Sequence, residues 1–103
     1  DPLIDIGGLL SFWPDPRLGK MPKGFLQGDW PDKDYLREQY ARYSGLDLRD
    51  IYWYEALACA KTAVIAQQLY ARYVAGSTKD ARMEKFGMAA KGFALLGRSI
   101  IDA

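Results

Sequence analysis

A chain of 103 residues, half of them hydrophobic and about a quarter charged, is long enough for a single core and is not composed like a disordered segment. Its net charge of +1, with no run of Lys or Arg, excludes nucleic-acid binding through a basic surface. With no histidine and only one cysteine, Cys59, it can build neither a histidine-based triad, nor a Cys/His zinc site, nor an internal disulfide.

The first stretch, DPLIDIGGLLSFW, carries Leu3, Ile6, Leu9, Leu10 and Trp13 at helical spacing, with Asp1 as cap and Pro2 in the first turn. Asp5 lies among apolar neighbours. It reads either as a solvent-facing acid or as a buried carboxylate tying the helix to preceding chain. From Pro14 to Pro31 the chain is crowded with Pro and Gly, the mark of a long loop. Its apolar residues Leu18, Met21, Phe25, Leu26 and Trp30 predict that this loop packs on the helices. Arg17, Lys20 and Lys23 make it locally basic, for solvation or for contact with an anionic ligand.

Asp32 to Gly45 predicts a second helix, capped by Asp32 and ended by Gly45, with Leu36, Tyr40 and Tyr43 as packing residues beside Tyr35 and Gln39. Glu38 and Arg42 form an outward i,i+4 pair. The stretch from Asp47 to Gly76 is the longest helical element. Its apolar residues, from Ile51 and Trp53 to Leu69 and Val74, point in almost every direction, and a helix apolar all round is a buried one. One polar seam runs through Asp50, Tyr54, Lys61, Gln68 and Arg72. Asp47 with Asp50 resembles a capping box, Gly76 suits a left-handed cap, and Cys59 reads as a small core residue.

A last helix follows Ser77, with Ser77 and Asp80 as a second box-like start and a stripe through Met83, Phe86, Ala90, Phe93, Gly97 and Ile100. Gly97 lies on that stripe and could admit close approach of the central helix; for Gly87 and Gly92 a kink is as plausible. No strand alternation persists. The expected fold is all-α, one helical domain over residues 1–103: a small bundle of about four helices around one long central helix, with a long Pro/Gly-rich loop after the first. No stretch has the length and apolarity of a membrane span, and no signal or transit peptide is visible. The lone cysteine suits a reducing compartment, and a cytoplasmic location is expected. Gly7-Gly8 lacks the strand and spacing of a phosphate-binding loop, and the acids are scattered.

The opening Asp1-Pro2-Leu3-Ile4-Asp5-Ile6-Gly7, followed by Leu9-Leu10-Ser11-Phe12-Trp13, resembles the segment just after the metal-binding strand in the aminoglycoside phosphotransferase-like family. The run Tyr52-Trp53-Tyr54-Glu55, then Lys61-Thr62-Ala63-Val64-Ile65 and Tyr70-Ala71-Arg72-Tyr73, resembles the long helix of that family's helical subdomain. Many members, which share a protein-kinase-like fold, are bacterial kinases of small hydroxylated molecules. The resemblance covers nearly the whole chain and is weakest in the Pro/Gly-rich loop. It implies that the chain is the C-terminal helical subdomain of a larger phosphotransferase. Its partners would then be the N-terminal catalytic lobes and a small-molecule acceptor.

The family's His-Gly-Asp catalytic loop, Asp-Trp-Glu-like strand and nucleotide lobe would all lie upstream, a reading that Asp1 standing where a start Met would stand also favours. No catalytic or metal-ligating residue is therefore assigned to this chain. ATP and Mg²⁺ are implied only for the intact protein. Asp1 and Asp5 match the family's Asp-Pro-x-x-Asp run, whose acids brace the core, and carry over as structural residues.

Substrate contact is expected from the seam. Lys61 interrupts an apolar helix, and its ammonium either snorkels to water, pairs with a carboxylate such as Asp50 or Asp5, or lines the acceptor pocket with Tyr54 and attracts an anionic acceptor. Glu55, a third of a turn away, is the candidate for a cationic acceptor. The other reading is a free-standing helical interaction or oligomerisation module. In either case uncovered apolar area predicts self-association.

Overall fold

Asp1 starts the first helix. Its Oδ1 accepts a hydrogen bond from the Leu3 backbone N–H at 2.9 Å, and Pro2 fills a turn that needs no backbone donor, giving α1 (Pro2–Phe12). The computed structural model describes residues 1–15, 31–77 and 79–102. Asp32 does the same for α2 (Lys33–Ser44), accepting from the Tyr35 N–H at 2.9 Å, and Gly45 ends that helix at φ 72°. The expectations for Arg17 to Trp30, including Lys20 and Lys23, fall on residues outside those described.

The central helix, α3, runs Ile51–Val74, and its start differs from the capping box expected at Asp47. Asp50 holds the cap position without a side-chain bond, because the Asp47 carboxylate is occupied locally by the backbone N–H of Arg49 at 2.9 Å and by its guanidinium. The far end matches the expectation. Gly76 takes φ 80°, and the N–H groups of Gly76 and Ser77 return to the carbonyls of Tyr73 and Arg72 at 3.1 and 3.0 Å. This is a Schellman closure, and it uses Ser77 to finish α3, not to start the next helix. Asp80 alone caps a 3₁₀ turn (Ala81–Glu84) that runs into α4 (Lys85–Asp102). Hydrogen bonds from the Arg82 side chain and backbone hold the Asp80 carboxyl down at about 2.

Among the described residues the fold is all-α, with α3 at its centre. One core cluster joins α3 to α4 through Ala56, Cys59, Leu96 and Ile100, with Phe93 against it. Gly97 permits this contact: a Cβ there would lie 3.1 Å from the Cys59 Cβ and 3.3 Å from the Ala56 carbonyl oxygen. Gly87 lies equally close to the Tyr70 ring. The second cluster, Ile6, Leu10 and Ile51, joins α1 to α3, and Leu36 and Tyr40 of α2 pack on it. Here the helices touch at Gly7, where a Cβ would come within 2.8 Å of the Tyr54 backbone. Phe12 and Phe93 meet edge to face at 5.8 Å and link α1 to α4.

Two expectations about burial are corrected. The apolar circumference of α3 is not enclosed: Trp53, Val64 and Ile65 are each more than half exposed, at 57, 58 and 57 %, because α1 and α4 cover only part of it. Tyr43, expected to pack, is 81 % exposed beyond the end of the α1–α3 cluster, and Arg42 lies over its ring instead.

Candidate functional site

The polar seam of α3 divides into two places. Tyr54 and Lys61, two turns apart, both border a groove of about 190 Å³ between α1 and α3. Ile4, Phe12, Leu57 and Ala58 supply apolar lining, and Ser11 and Thr62 add hydroxyls. Ser11 is buried and donates to the Gly8 carbonyl at 2.7 Å. The Tyr54 hydroxyl donates to Asp1 Oδ2 at 3.0 Å, tying the head of α1 to α3. Asp5, in contrast, faces solvent. Lys61 is exposed and forms no ion pair with Asp50, Asp5 or any other described residue. Among the described residues that line the groove, Lys61 is the one that carries a charge.

Glu55 belongs to the other place. Its side chain is fully buried, and each carboxylate oxygen takes a cation from α2: Oε1 accepts from Lys33 Nζ at 2.7 Å and Oε2 from Arg37 Nη2 at 2.7 Å. Lys33 Nζ also donates to Asp15 Oδ2 at 2.8 Å. Arg37 Nη1 donates to the exposed Asp34 at 2.7 Å, and the guanidinium lies 4.5 Å over the Tyr52 ring. Arg37 Nε is buried and finds no acceptor among the described residues. Among the described residues, two buried carboxylates, Asp15 and Glu55, thus face two cations, Lys33 and Arg37. Isolated charges at such burial would be costly, so pairing with good hydrogen-bond geometry is what permits them.

This cluster joins three separate parts of the chain: the stretch just past α1 at Asp15, the start of α2 at Lys33 and the second turn of α3 at Glu55. A hydrogen bond of 2.7 Å from Trp13 Nε1 to the Pro31 carbonyl reinforces the first junction. A cavity of about 380 Å³ opens beside it, bordered by Asp32, Asp34 and Tyr52. Glu55 is therefore committed to α2 and does not share the groove of Tyr54 and Lys61. The sequence reading passed over Lys33, Arg37 and Asp15. A signal was present: Glu55 stands in the apolar run Ile51 to Ala60, and Lys33 and Arg37 are four apart on one helical face.

Among the described residues no group of three His, Cys, Asp or Glu is placed to hold a metal ion. No helix among them is long and apolar enough to cross a membrane. No protein-family model, curated protein or solved structure matches the chain.

Proposed function

We propose that this chain is the helical, acceptor-side subdomain of an ATP-dependent small-molecule phosphotransferase, similar to the aminoglycoside phosphotransferase-like family and inert alone. One observation carries the reading. The two segments that bear the resemblance, Asp1 to Trp13 and Tyr52 to Gly76, form α1 and α3, which pack directly on each other with Gly7 against the Tyr54 backbone and Asp1 bonded to the Tyr54 hydroxyl. Two stretches of one subdomain wall should meet in this way.

In this reading the wall binds and orients, and does no chemistry itself. Nucleotide and metal are held by residues upstream, in a cytoplasmic protein, and phosphoryl transfer depends on their placement. The groove between α1 and α3 faces the acceptor. Lys61 attracts an anionic group and Tyr54 fixes its orientation, while Glu55 holds α2 in place and does not meet the acceptor.

The complete coding sequence tests the proposal. A His-Gly-Asp-like loop should precede Asp1, and the gene product should consume ATP with some member of a panel of hydroxylated small molecules. A mature protein whose intact mass begins within a few residues of Asp1 overturns it. That outcome would favour a free-standing helical module that binds a partner or a second copy, a reading to which the exposed Trp53, Val64, Ile65 and Met88 give support.

A further inference from the structure

We infer that α2 is a separately releasable arm, held over the α1–α3 core by the carboxylate of Glu55. The inference does not depend on the phosphotransferase reading. It begins from the contrast between the interfaces of α3. The α3–α4 contact is apolar and close, with Ala56, Cys59, Leu96 and Ile100 buried and Gly97 admitting the backbone of the partner helix. The α1–α3 contact is as close at Gly7.

The third interface is of another kind. Lys33 is the only buried residue of α2, and among the described residues α2 adds to the apolar cluster only the half-buried Leu36 and Tyr40. Its charged contacts converge on buried carboxylates: Lys33 bonds Glu55 and Asp15, and Arg37 adds a second bond to Glu55, the one acceptor that takes both cations. Desolvating an ion pair offsets most of its attraction, so such an interface fixes position more firmly than it stabilises. Apolar interfaces of the α3–α4 kind keep their full burial energy. The arm should therefore open at lower free energy than the helices beneath it, as weakly packed elements do.

The ends of α2 suit this behaviour. Gly45 supplies a left-handed joint at one end, and the Trp13–Pro31 hydrogen bond keeps the other end anchored beside α1. Release would free the Tyr52 ring from Arg37, uncover Ile6, Leu10 and Ile51, and open the cavity beside the ion pairs.

Native-state hydrogen exchange on the complete gene product tests the inference. In the unaltered protein the amides of Arg37 to Ser44 should exchange roughly tenfold or more faster than those of Ala56 to Ala66 and Ala90 to Ile100. Glu55→Gln should accelerate the α2 amides by about a further tenfold while leaving those of α4 unchanged. Equal protection of α2, α3 and α4 in the unaltered protein overturns the inference. So does a Glu55→Gln protein in which α2 is unaffected, or in which all helices loosen or unfold together.

Discussion

Glu55 on α3 and Lys33 on α2 share a hydrogen bond of 2.7 Å at a point where the two side chains are 0 and 6 % exposed. Neither partner is left alone when the other is changed, because Lys33 keeps Asp15 and Glu55 keeps Arg37. A double-mutant cycle of Glu55→Gln and Lys33→Met should thus lose less than the sum of its parts, with a coupling of about 0.5–3 kcal/mol in chemical denaturation. Strict additivity would show that the two side chains are neighbours without being partners.

Gly7 and Gly8 are adjacent on α1 and should respond oppositely to alanine. At Gly7 a Cβ would press within 2.8 Å of the Tyr54 backbone, which cannot rotate away, whereas at Gly8 nothing lies within 4 Å. Gly7→Ala should destabilise by about 1–3 kcal/mol through overpacking. Gly8→Ala should stabilise by up to about 1 kcal/mol through helix propensity. Thermal unfolding of the pair measures both.

What the sequence made legible divides along physical lines. Asp1, Asp32, Gly45 and Gly76 act through their own backbone neighbourhood, so their roles could be read residue by residue and match the structure. The stripe of α4 and the closeness at Gly97 were legible for the same reason, since periodicity fixes a helix face. Asp47 and Ser77 misled because a cap is decided by competition: Arg49 took the first and the end of α3 used the second. The ion-pair cluster was not legible, because its members come from three segments and only the fold brings them together. Attention went to Lys61, which needs no partner at the surface, and passed over Lys33, which has two.

Asp80 gives a pH-dependent prediction. Its carboxyl is held at about 2 in the fold against an ordinary 3.8, by hydrogen bonds from Arg82. The folded value is depressed, so the contribution of this turn is complete above the ordinary value and is lost as pH falls from about 4 toward about 2. Titration of the Asp80 carboxyl by NMR should show the low midpoint, and Arg82→Gln should return it toward 3.8. A midpoint that ignores the substitution would assign the effect to the backbone N–H instead.

In the intact phosphotransferase proposed above, Lys61→Met should raise the KM of an anionic acceptor and leave ATP binding unchanged. Lys61 is exposed and has no ion pair among the described residues, so the substitution should hardly move the melting temperature. A lowered melting temperature with unaltered kinetics would make Lys61 a structural residue and put the acceptor elsewhere.

The uncovered apolar side chains predict association when this chain is studied by itself. Trp53, Ile65 and Ile101 are 57, 57 and 61 % exposed. Sedimentation should show concentration-dependent self-association, and Trp53→Glu with Ile65→Glu should weaken it. A monomer that binds no hydrophobic dye would count against an interface through these exposed side chains.

The hydrogen bond from Trp13 to Pro31 and the ion pair from Lys33 to Asp15 fasten together the two ends of residues 16–30. The junction of α1 and α2 is thereby a clasp. Trp13, Asp15, Pro31 and Lys33 set the start of α2 beside the chain that leaves α1 through their own contacts, one neutral and one charged. Acid should therefore loosen the second while sparing the first.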